Sequence, residues 1–336
     1  MLGLAQSTQR RRKGFASCSG CGLCLLVCPL WRRSHDLGLT PLGRAKALQH
    51  RAGPADIADS VNSCTLCAAC EPVCPEEIDL VAMTLDLRSQ LLQPAVTESL
   101  HARMAAQTRR PPAPRRSSAS VLLAGEALRQ HADILARTAA LLGAAESIPI
   151  ADDDGQDVAL ALEAGAQIPA SRLDRFLRPL RGIKKIIIAD GLLLRHVRQW
   201  LPGSTCTSLG VALSTLPAVR RALRAGDLYV IEPRAYHSDY QRLVKYYDGL
   251  RAAVGCSFNL DLQRIAIPAT ARGLPQRLGL ESATGARDET VQPRWILQGR
   301  NIARVVVESM EDRAAFGQVS ECPVVHLAQL ADDETS

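Results

Sequence analysis

The hydrophobic pattern of the chain changes near residue 119. Beyond that point, short β-branched runs alternate with stretches of helical periodicity, which is typical of βα units around a mainly parallel sheet. Five runs are predicted strands: SVLLAG (120–125), KKIIIAD (184–190), LYVIEP (228–233), ARVVVES (303–309) and CPVVHLA (322–328). Segments 184–213 and 303–330 share a strand, helix, strand order with similar spacing, so we predict a duplicated α/β module.

The first part of the chain has a helical pattern instead. Thr40 is a predicted N-cap and Pro41 the first residue of a helix, which Gly53 and Pro54 end. Residues 76–92 predict a second, amphipathic helix that ends near Pro94, with one apolar face formed by Ile78, Val81, Leu85 and Leu92.

A Pro-rich and basic stretch, QTRRPPAPRRSS (107–118), separates the two parts. It has no apolar periodicity, so it is interpreted as an extended linker. The predicted fold class is therefore α+β multidomain, with a helical domain at 1–106, the linker at 107–118 and a duplicated α/β domain at 119–336.

Composition and charge exclude few classes of protein or partner. The 336 residues are 47% hydrophobic and 22% charged, which is enough apolar content for two domains with their own cores. The net charge of +6 favours acidic partners, anionic lipid or nucleic acid without choosing among them. The basic stretches lack the interleaved aromatics of single-stranded nucleic-acid binders, so we expect no nucleic acid. With no secretory signal and no apolar stretch of membrane-spanning length, we expect a cytoplasmic protein, soluble or peripheral at the inner face of the membrane.

Eleven cysteines carry the clearest chemistry, because disulfides are rare in the reducing cytoplasm. Eight of them form two sets with the same spacing, C-x2-C-x2-C-x3-C-P. The first set is Cys18, Cys21, Cys24 and Cys28, followed by Pro29. The second set is Cys64, Cys67, Cys70 and Cys74, followed by Pro75.

This spacing predicts two [4Fe-4S] clusters with exchanged fourth ligands. Three cysteines at intervals of three wrap around one cubane, whereas the fourth is turned away by the proline and reaches the other cluster. Cluster 1 is thus expected on Cys18, Cys21, Cys24 and Cys74, and cluster 2 on Cys64, Cys67, Cys70 and Cys28. Small residues, Gly20 and Gly22 in one motif and Ala68 and Ala69 in the other, leave room for backbone N–H groups to approach the sulfurs. The alternative is a pair of zinc ions on four thiolates each, but zinc ribbons use pairs of C-x2-C without a trailing C-P.

Residues 18 to about 92, including TPLGRAKAL and LDLRSQL, resemble the helical two-cluster ferredoxin of the heterodisulfide reductase iron–sulfur proteins. The iron–sulfur subunits of glycolate oxidase, of lactate oxidation and of anaerobic glycerol-3-phosphate dehydrogenase share this module. The resemblance implies electron transfer between a flavin-bearing or cluster-bearing partner and a second acceptor, often at the membrane.

That family often carries two cysteine-rich α/β modules with a Cys-Cys-Gly signature, and here this chain departs from the pattern. It has Asp153, Asp154 and Gly155 at the first signature, ADGL (189–192) and ESME (308–311) after two strands, and RIAIPAT (264–270) where the second signature is lost. Tyr236 and His237 stand where Pro-Cys-His is expected. A thiolate-bound third cofactor is therefore not expected, and the α/β domain is interpreted as a docking scaffold.

Other candidate residues have simpler interpretations. Cys206, Cys256 and Cys322 are isolated and are taken as buried apolar residues rather than as a metal site shared with His237. The run Asp152, Asp153, Asp154 and Asp157 is taken as a solvated turn before a helix rather than as a cation site.

The favoured hypothesis is an electron-transfer subunit without catalytic residues of its own. Flavins release two electrons and clusters carry one each, so a flavoprotein dehydrogenase is the expected partner. The alternative is an assembly or docking protein in which the clusters are mainly structural. A third option is an enzyme whose α/β domain binds a thiol or carboxylate substrate.

Overall fold

The structure is a computed structural model, and it describes residues 13–109, 118–143, 146–270, 272–278 and 288–332. Helices and small parallel sheets make up the fold, and the N-terminal part is helical within the described residues. No helix among the described residues combines the length and the apolar character needed to cross a membrane.

The N-terminal part contains only helices and turns within the described residues. The α-helices are α1 (Leu23–Val27), α2 (Pro29–Ser34), α3 (Pro41–Gln49), α4 (Ala58–Ser63), α5 (Leu80–Leu91) and α6 (Pro94–Arg109). Short 3-10 turns lie at Phe15–Ser17, Leu37–Leu39 and Pro54–Ile57. The predicted cap of α3 is confirmed, because the Thr40 hydroxyl accepts a hydrogen bond of 3.1 Å from Gly43 N–H.

The first half of the α/β part is built on a three-stranded sheet. Its elements are β1 (Ser120–Leu123), α7 (Gly125–Arg129), α8 (Ala132–Leu142), α9 (Gln156–Ala164), α10 (Ala170–Leu177), a 3-10 turn (Arg178–Leu180), β2 (Lys185–Ile188), α11 (Gly191–Trp200), β3 (Thr205–Ser208), α12 (Leu209–Ser214) and α13 (Pro217–Ala222). The strand order is β1-β2-β3, with all pairs parallel. Ile150 adds a parallel bridge to Leu122 on the free side of β1.

The second half repeats this arrangement on a four-stranded sheet. Its elements are β4 (Asp227–Val230), α14 (Pro233–His237), α15 (Tyr240–Val254), β5 (Ser257–Phe258), α16 (Leu274–Leu278), α17 (Val291–Leu297), β6 (Arg304–Val307), α18 (Met310–Gly317), β7 (Val324–His326) and a 3-10 turn (Leu327–Asp332). The order is β5-β4-β6-β7, again all parallel. The run β4-β6-β7 follows chain order as β1-β2-β3 does, and β5 is the additional edge strand.

The two sheets bury alternate residues on opposite faces. Leu122 and Ile187 of the first sheet join Tyr229 and Val306 of the second in one central apolar core. Their neighbours along the strands face outward and pack in a separate core for each sheet. Because both faces of each sheet are covered, almost every position of these strands is apolar. The strands were therefore recognisable in the sequence as continuous apolar runs.

All five strands predicted from apolar runs are confirmed. The prediction for the linker is wrong at its start, because α6 continues through residues 107–109. Pro94 begins this helix rather than only ending the previous one, since proline fits the first helical turn. Leu100 and Met104 of α6 pack against Ala161 and Ala164 of α9, so α6 joins the two parts. The rest of the predicted linker, 110–117, lies outside the described residues.

Candidate functional site

The first cysteine motif, residues 18–28, is shaped by two glycines. Gly20 and Gly22 have φ angles of +86° and +78°, a left-handed conformation that glycine adopts without steric cost. The chain then enters α1, and Cys28 ends this helix in an extended conformation. Pro29 follows as the first residue of α2, so the Cys28 side chain is displaced from the preceding three cysteines as the proline predicted.

The second motif, residues 64–74, reaches the same conformation without glycine. Leu66 and Ala68 occupy the positions equivalent to Gly20 and Gly22, and their φ angles are +53° and +60°. Both side chains are buried. The left-handed positions of the second motif are therefore Leu66 and Ala68, and Ala69, predicted with Ala68 to leave room for the backbone, offers its N–H to the Cys67 sulfur.

Two cavities lie between these motifs. The outer cavity is lined by four cysteines, Cys18, Cys21, Cys24 and Cys74. Apolar residues that include Phe15 and Ile78 complete its wall. The inner cavity is lined by Cys28, Cys64, Cys67 and Cys70. Their empty volumes of about 400 and 410 Å³, counted with the solvent at their mouths, are nearly equal. Each set of four is the one that the spacing predicts for one cluster, with the fourth cysteine exchanged between motifs.

Helix α1 connects the cavities. Cys24 lines the outer cavity and Cys28 the inner one. Residues four apart on a helix have Cβ atoms about 5–6 Å from each other. The two cavities are thus neighbours, separated by about one helical turn.

The cavities differ in exposure. Cys21 of the outer set is exposed, and Leu23 and Leu26 of α1 are among the few large apolar side chains that face solvent. In the inner set, Cys28 and Cys67 are buried. The outer set is therefore the more exposed of the two, although Cys64 and Cys70 of the inner set are also only partly buried.

The α/β part covers the inner motif through α14. Arg234 donates hydrogen bonds of 3.1 Å and 2.7 Å to the carbonyl of Thr65. His237 Nδ1 lies 2.6 Å from the carbonyl of Cys67, and its Nε2 accepts a hydrogen bond of 3.2 Å from Ala266 N–H. Because Nε2 is the acceptor, Nδ1 carries the proton and the imidazole is neutral. Burial agrees with this state and lowers the pKa of His237 to about 4.

His237 is thus a structural residue that holds the inner motif. Both of its nitrogens are used, and Cys206, Cys256 and Cys322 lie in separate places: the core of the first sheet, the central core and the edge of the second sheet. The structure gives no support to a metal site shared by these four residues.

A second bridge between the two parts uses arginines and acids. Arg88 of α5 donates to the carbonyl of Glu163 at 2.7 Å and to the carbonyl of Cys64. The carboxylate of Glu163 lies 3.2 Å from Arg234 and 3.1 Å from Arg277. Burial raises the pKa of Glu163, but these arginines outweigh it and the net pKa is lowered. A charged pair also joins the parts, because Arg195 of α11 lies 2.9 Å from Glu71.

Thiol pKa values report the electrostatic difference between the cavities. Burial raises the pKa of Cys24 in the outer set to about 11. In the inner set, burial raises the pKa of Cys67 to about 12. Burial also acts on Cys64, but there Arg44 and Arg88 outweigh it and the pKa is lowered. The inner cavity is therefore electropositive on the side of Cys64.

The role of Arg44 and Arg88 beside the inner cavity was not predicted from the sequence. Arg44 lies on the same face of α3 as Pro41, Ala45 and Leu48, at helical intervals of three and four. A cation on an otherwise apolar helix face is the signal that could have identified it. Arg88 likewise follows Leu80 and Thr84 at intervals of four on the buried face of α5.

The acidic run before α9 is neither a cation site nor a solvated turn. Arg172, which is 1% exposed, lies 2.8 Å from Asp153 and 2.6 Å from Asp157. Asp154 is buried and accepts hydrogen bonds from Arg129 and from the backbone N–H of Ala124 at 3.2 Å. The expected solvation holds for Asp152, which is exposed, and is wrong for Asp153, Asp154 and Asp157, because arginines neutralise those carboxylates. The predicted helix follows as α9.

Hydrogen bonds tie together the segments that follow β2 and β6. Glu308 follows β6 and accepts hydrogen bonds from the hydroxyls of Tyr229, at 2.8 Å, and Tyr247. It also accepts one of 2.9 Å from Glu232 N–H. Gly191, in the segment 189–192, packs against the carboxylate of Glu232 so closely that a Cβ atom would lie 2.3 Å from it. These residues form a packed polar core.

The donors present fit iron–sulfur clusters. Each cavity offers four thiols, the ligand set of a [4Fe-4S] cluster. Leu66 N–H points at the Cys64 sulfur and Ala69 N–H at the Cys67 sulfur, which is the backbone arrangement that stabilises bound anionic sulfur. The buried Nε of Arg44, which lines the inner cavity, lacks a hydrogen-bond acceptor within the described residues. Across the described ranges no three His, Cys, Asp or Glu side chains are grouped to hold a single metal ion.

Comparison with known proteins agrees with the motif. Residues 14–78 match the protein family described as a 4Fe-4S dicluster domain. Neither the curated proteins nor the solved structures contain a match to the chain. The family match covers both cysteine motifs and supports an iron–sulfur, electron-transfer role with at least one [4Fe-4S] cluster.

Proposed function

We propose that the chain is an electron-transfer subunit that binds two [4Fe-4S] clusters, one in each cavity. The observation that carries the proposal is the sorting of eight cysteines into two sets of four with the fourth member exchanged. The clusters supply one-electron carriers when bound. The thiolates of the chain bind and orient them, and the apolar walls keep water from them.

The partner is proposed to be a flavoprotein dehydrogenase or another redox subunit. Electron exchange with it would take place at the outer cavity, because Cys21 is exposed there. The inner cavity lies about one helical turn further in, which is short enough for the two sites to act as a pair. The finer resemblance, to the iron–sulfur subunits of heterodisulfide reductase and anaerobic glycerol-3-phosphate dehydrogenase, supports this partner class.

The α/β part is proposed to be a duplicated, degenerate cysteine-rich module that serves as a scaffold. Its strand order repeats between the two sheets. The positions of the lost signature carry Asp153, Asp154 and Glu308, and each carboxylate is occupied by arginine, tyrosine or backbone donors. Carboxylate oxygens are poor ligands for an iron–sulfur cluster, and these three already accept hydrogen bonds from protein groups. They are therefore not proposed as ligands of a third cluster.

A redox measurement tests the relay. Protein purified anaerobically with its co-purifying flavoprotein is mixed with the flavoprotein's reductant, and cluster reduction is followed by EPR and absorbance. We expect both clusters to be reduced on the timescale of turnover and to be reoxidised by an added acceptor. Clusters that stay oxidised while the flavoprotein turns over would contradict the relay.

That outcome would favour the second candidate, a docking protein whose clusters are structural. The contacts of α14 with the inner motif favour it, because Arg234 and His237 tie the carbonyls of Thr65 and Cys67 to the α/β part. Under this alternative, cluster removal would loosen the contact between the two parts, and limited proteolysis of apo and reconstituted protein would show it.

A further inference from the structure

Arg44 is a buried cation beside the inner cavity. Its side chain is 1% exposed and lines that cavity. Nη1 donates a hydrogen bond of 2.9 Å to the carbonyl of Ser60, with longer contacts to Ser60 Oγ and to the carbonyl of Leu39. Nε is buried and has no acceptor within the described residues. A buried donor without an acceptor is strongly unfavourable, so native proteins rarely leave one.

The charge of Arg44 is balanced by no carboxylate, although its guanidinium is hydrogen-bonded to the Cys64 sulfur. No carboxylate among the described residues forms an ion pair with it, whereas Arg234 and Arg277 both have Glu163. An isolated charge in the protein interior is strongly unfavourable unless a charge of opposite sign lies close by. The space that Arg44 faces is lined by four thiols. The counter-charge is therefore expected from what those thiols bind.

The two cavities differ in this respect. Arg44 is the charged residue in the lining of the inner cavity, and Glu76 is the one in the lining of the outer cavity. Lys46 of α3 approaches the outer motif at Gly20, but it is half-exposed and its Nζ bonds to Gln49. Water screens charges at the surface and hardly screens those inside. The inner cavity therefore has the larger unscreened positive charge.

We propose that the Nε–H of Arg44 donates to the thiolate-bound group in the inner cavity and, with its charge, raises the reduction potential of that group above that of the outer one. This inference rests on the proposed function. An added electron makes the bound group more negative, so a buried cation stabilises the reduced state; Glu76 at the outer cavity is paired with Lys13 and exerts no comparable field. Arg44 thereby directs electrons from the surface inward.

The test is a redox titration monitored by EPR on the full-length, anaerobically reconstituted chain. Arg44→Met removes both the charge and the donor, and Arg44→Lys keeps the charge. We expect Arg44→Met to lower the equilibrium constant for electron transfer from the outer to the inner group at least tenfold, or about 59 mV for one electron. Arg44→Lys is expected to retain part of this difference. Arg51→Met is the control, because Arg51 is exposed just beyond the same helix.

The inner signal is assigned by repeating the titration in a Cys74→Ser background, which removes a predicted ligand from the outer set only. If Arg44→Met fails to hold iron, wild-type protein with ¹⁵N-labelled arginine provides a second measurement. Reduced protein is then expected to show a ¹⁵N hyperfine coupling that Arg44→Lys removes.

Two reducible groups whose potentials are unchanged in Arg44→Met, or a ¹⁵N coupling that persists in Arg44→Lys, would overturn the inference and leave the proposed function standing. Wild-type protein that binds no iron would instead overturn the proposed function itself.

Discussion

The outer and inner cysteine motifs have identical spacing, yet they reach one backbone conformation with different residues. The outer motif uses Gly20 and Gly22 at its two left-handed positions, and the inner motif uses Leu66 and Ala68. A left-handed residue with a Cβ atom costs about 1–2 kcal/mol. In the inner motif, burial of the Leu66 side chain among Val81 and Leu192 offsets this cost. Glycine is thus needed where the motif is exposed, and packing replaces it where the motif is covered.

The same contrast extends to the surroundings. The outer motif faces solvent, with Cys21 exposed, and the inner motif is held by the carbonyl contacts of Arg88, Arg234 and His237. The inner site therefore depends on the α/β part for its shape, through Arg234 and His237, whereas its charge comes from Arg44 and Arg88 of the helical part. When a substitution acts on one motif, the other motif of the same chain therefore serves as an internal control for cluster content and stability.

The largest expected effect comes from exchanging single ligands. Cys74→Ser removes a thiol from the outer set, and Cys28→Ser removes one from the inner set. We expect iron to fall in each variant from about eight to about four atoms per chain, with complementary EPR signals left behind. Cys322→Ser, at an isolated cysteine, is expected to keep all the iron. Cys74→Ser is expected to leave the same residual signal as Cys24→Ser, which lies in its set; a residual signal shared with Cys70→Ser instead would rule out the exchange of fourth ligands.

Removing Arg88 should destabilise the inner motif next most. Arg88→Met leaves the carbonyls of Val61, Cys64 and Glu163 without their buried donor. We expect the free energy of unfolding in urea to fall by about 4 kcal/mol, with loss of the inner cluster before the outer one. Arg181→Met breaks an exposed pair with Asp174 and should cost about 0.5 kcal/mol or less. Equal effects of the two substitutions would refute the dependence on Arg88.

The α/β side of the inner motif is also expected to respond to pH. Burial raises the pKa of Glu308 from 4.5 to about 7, and Glu308 holds the N–H of Glu232 directly before α14. The folded state then binds a proton that the unfolded state releases. The contribution of Glu308 to the free energy of unfolding is therefore fully present below about pH 4.5 and is lost as the pH rises through about 7. A shift of this size corresponds to about 3 kcal/mol.

Urea unfolding at pH 5 and pH 8 measures this effect. Glu308→Gln should lose less stability over the interval than the wild type, although Glu232 and Asp312, whose pKa values burial also raises, keep part of the dependence. Glu321→Gln, at an exposed site, should follow the wild type. A wild-type stability that rises from pH 6.5 to pH 8 would contradict the sign.

The smallest expected effect tests the glycine comparison itself. Gly22→Ala gives the outer motif the side chain that the inner motif has at Ala68. The nearest atom to the new Cβ is Leu25 Cδ1 at 3.9 Å, so the cost is backbone strain alone. We expect about 1 kcal/mol of destabilisation. Ala68→Gly should not stabilise the chain by a similar amount, because it removes a buried methyl group; a gain as large as the loss in Gly22→Ala would contradict this view.

The helices and strands that could be predicted are those encoded by residues adjacent in the sequence. Five strands are apolar runs, and Thr40 with Pro41 is a strong start signal, so all of these are found in the structure. Strand β3, TCTS, has no apolar run and was expected only through the duplication. The crossed grouping of cysteines also follows from local spacing, because the proline after each fourth cysteine redirects the chain.

The rest depends on contacts between distant segments. Arg234 and His237 meet the inner motif across 169 and 170 positions of the chain, and no local pattern encodes such pairs. The acidic run before α9 resembled a solvated turn because its partners, Arg129 and Arg172, lie on other helices. Charge neutralisation at a distance is therefore the part of the site that only the structure reveals.

The central claim is that eight cysteines hold two iron–sulfur clusters, and a count of iron and acid-labile sulfide per chain tests it most directly. Anaerobically reconstituted protein is predicted to contain about eight of each. Four or fewer irons per chain after complete reconstitution, or zinc bound in their place, would contradict the account.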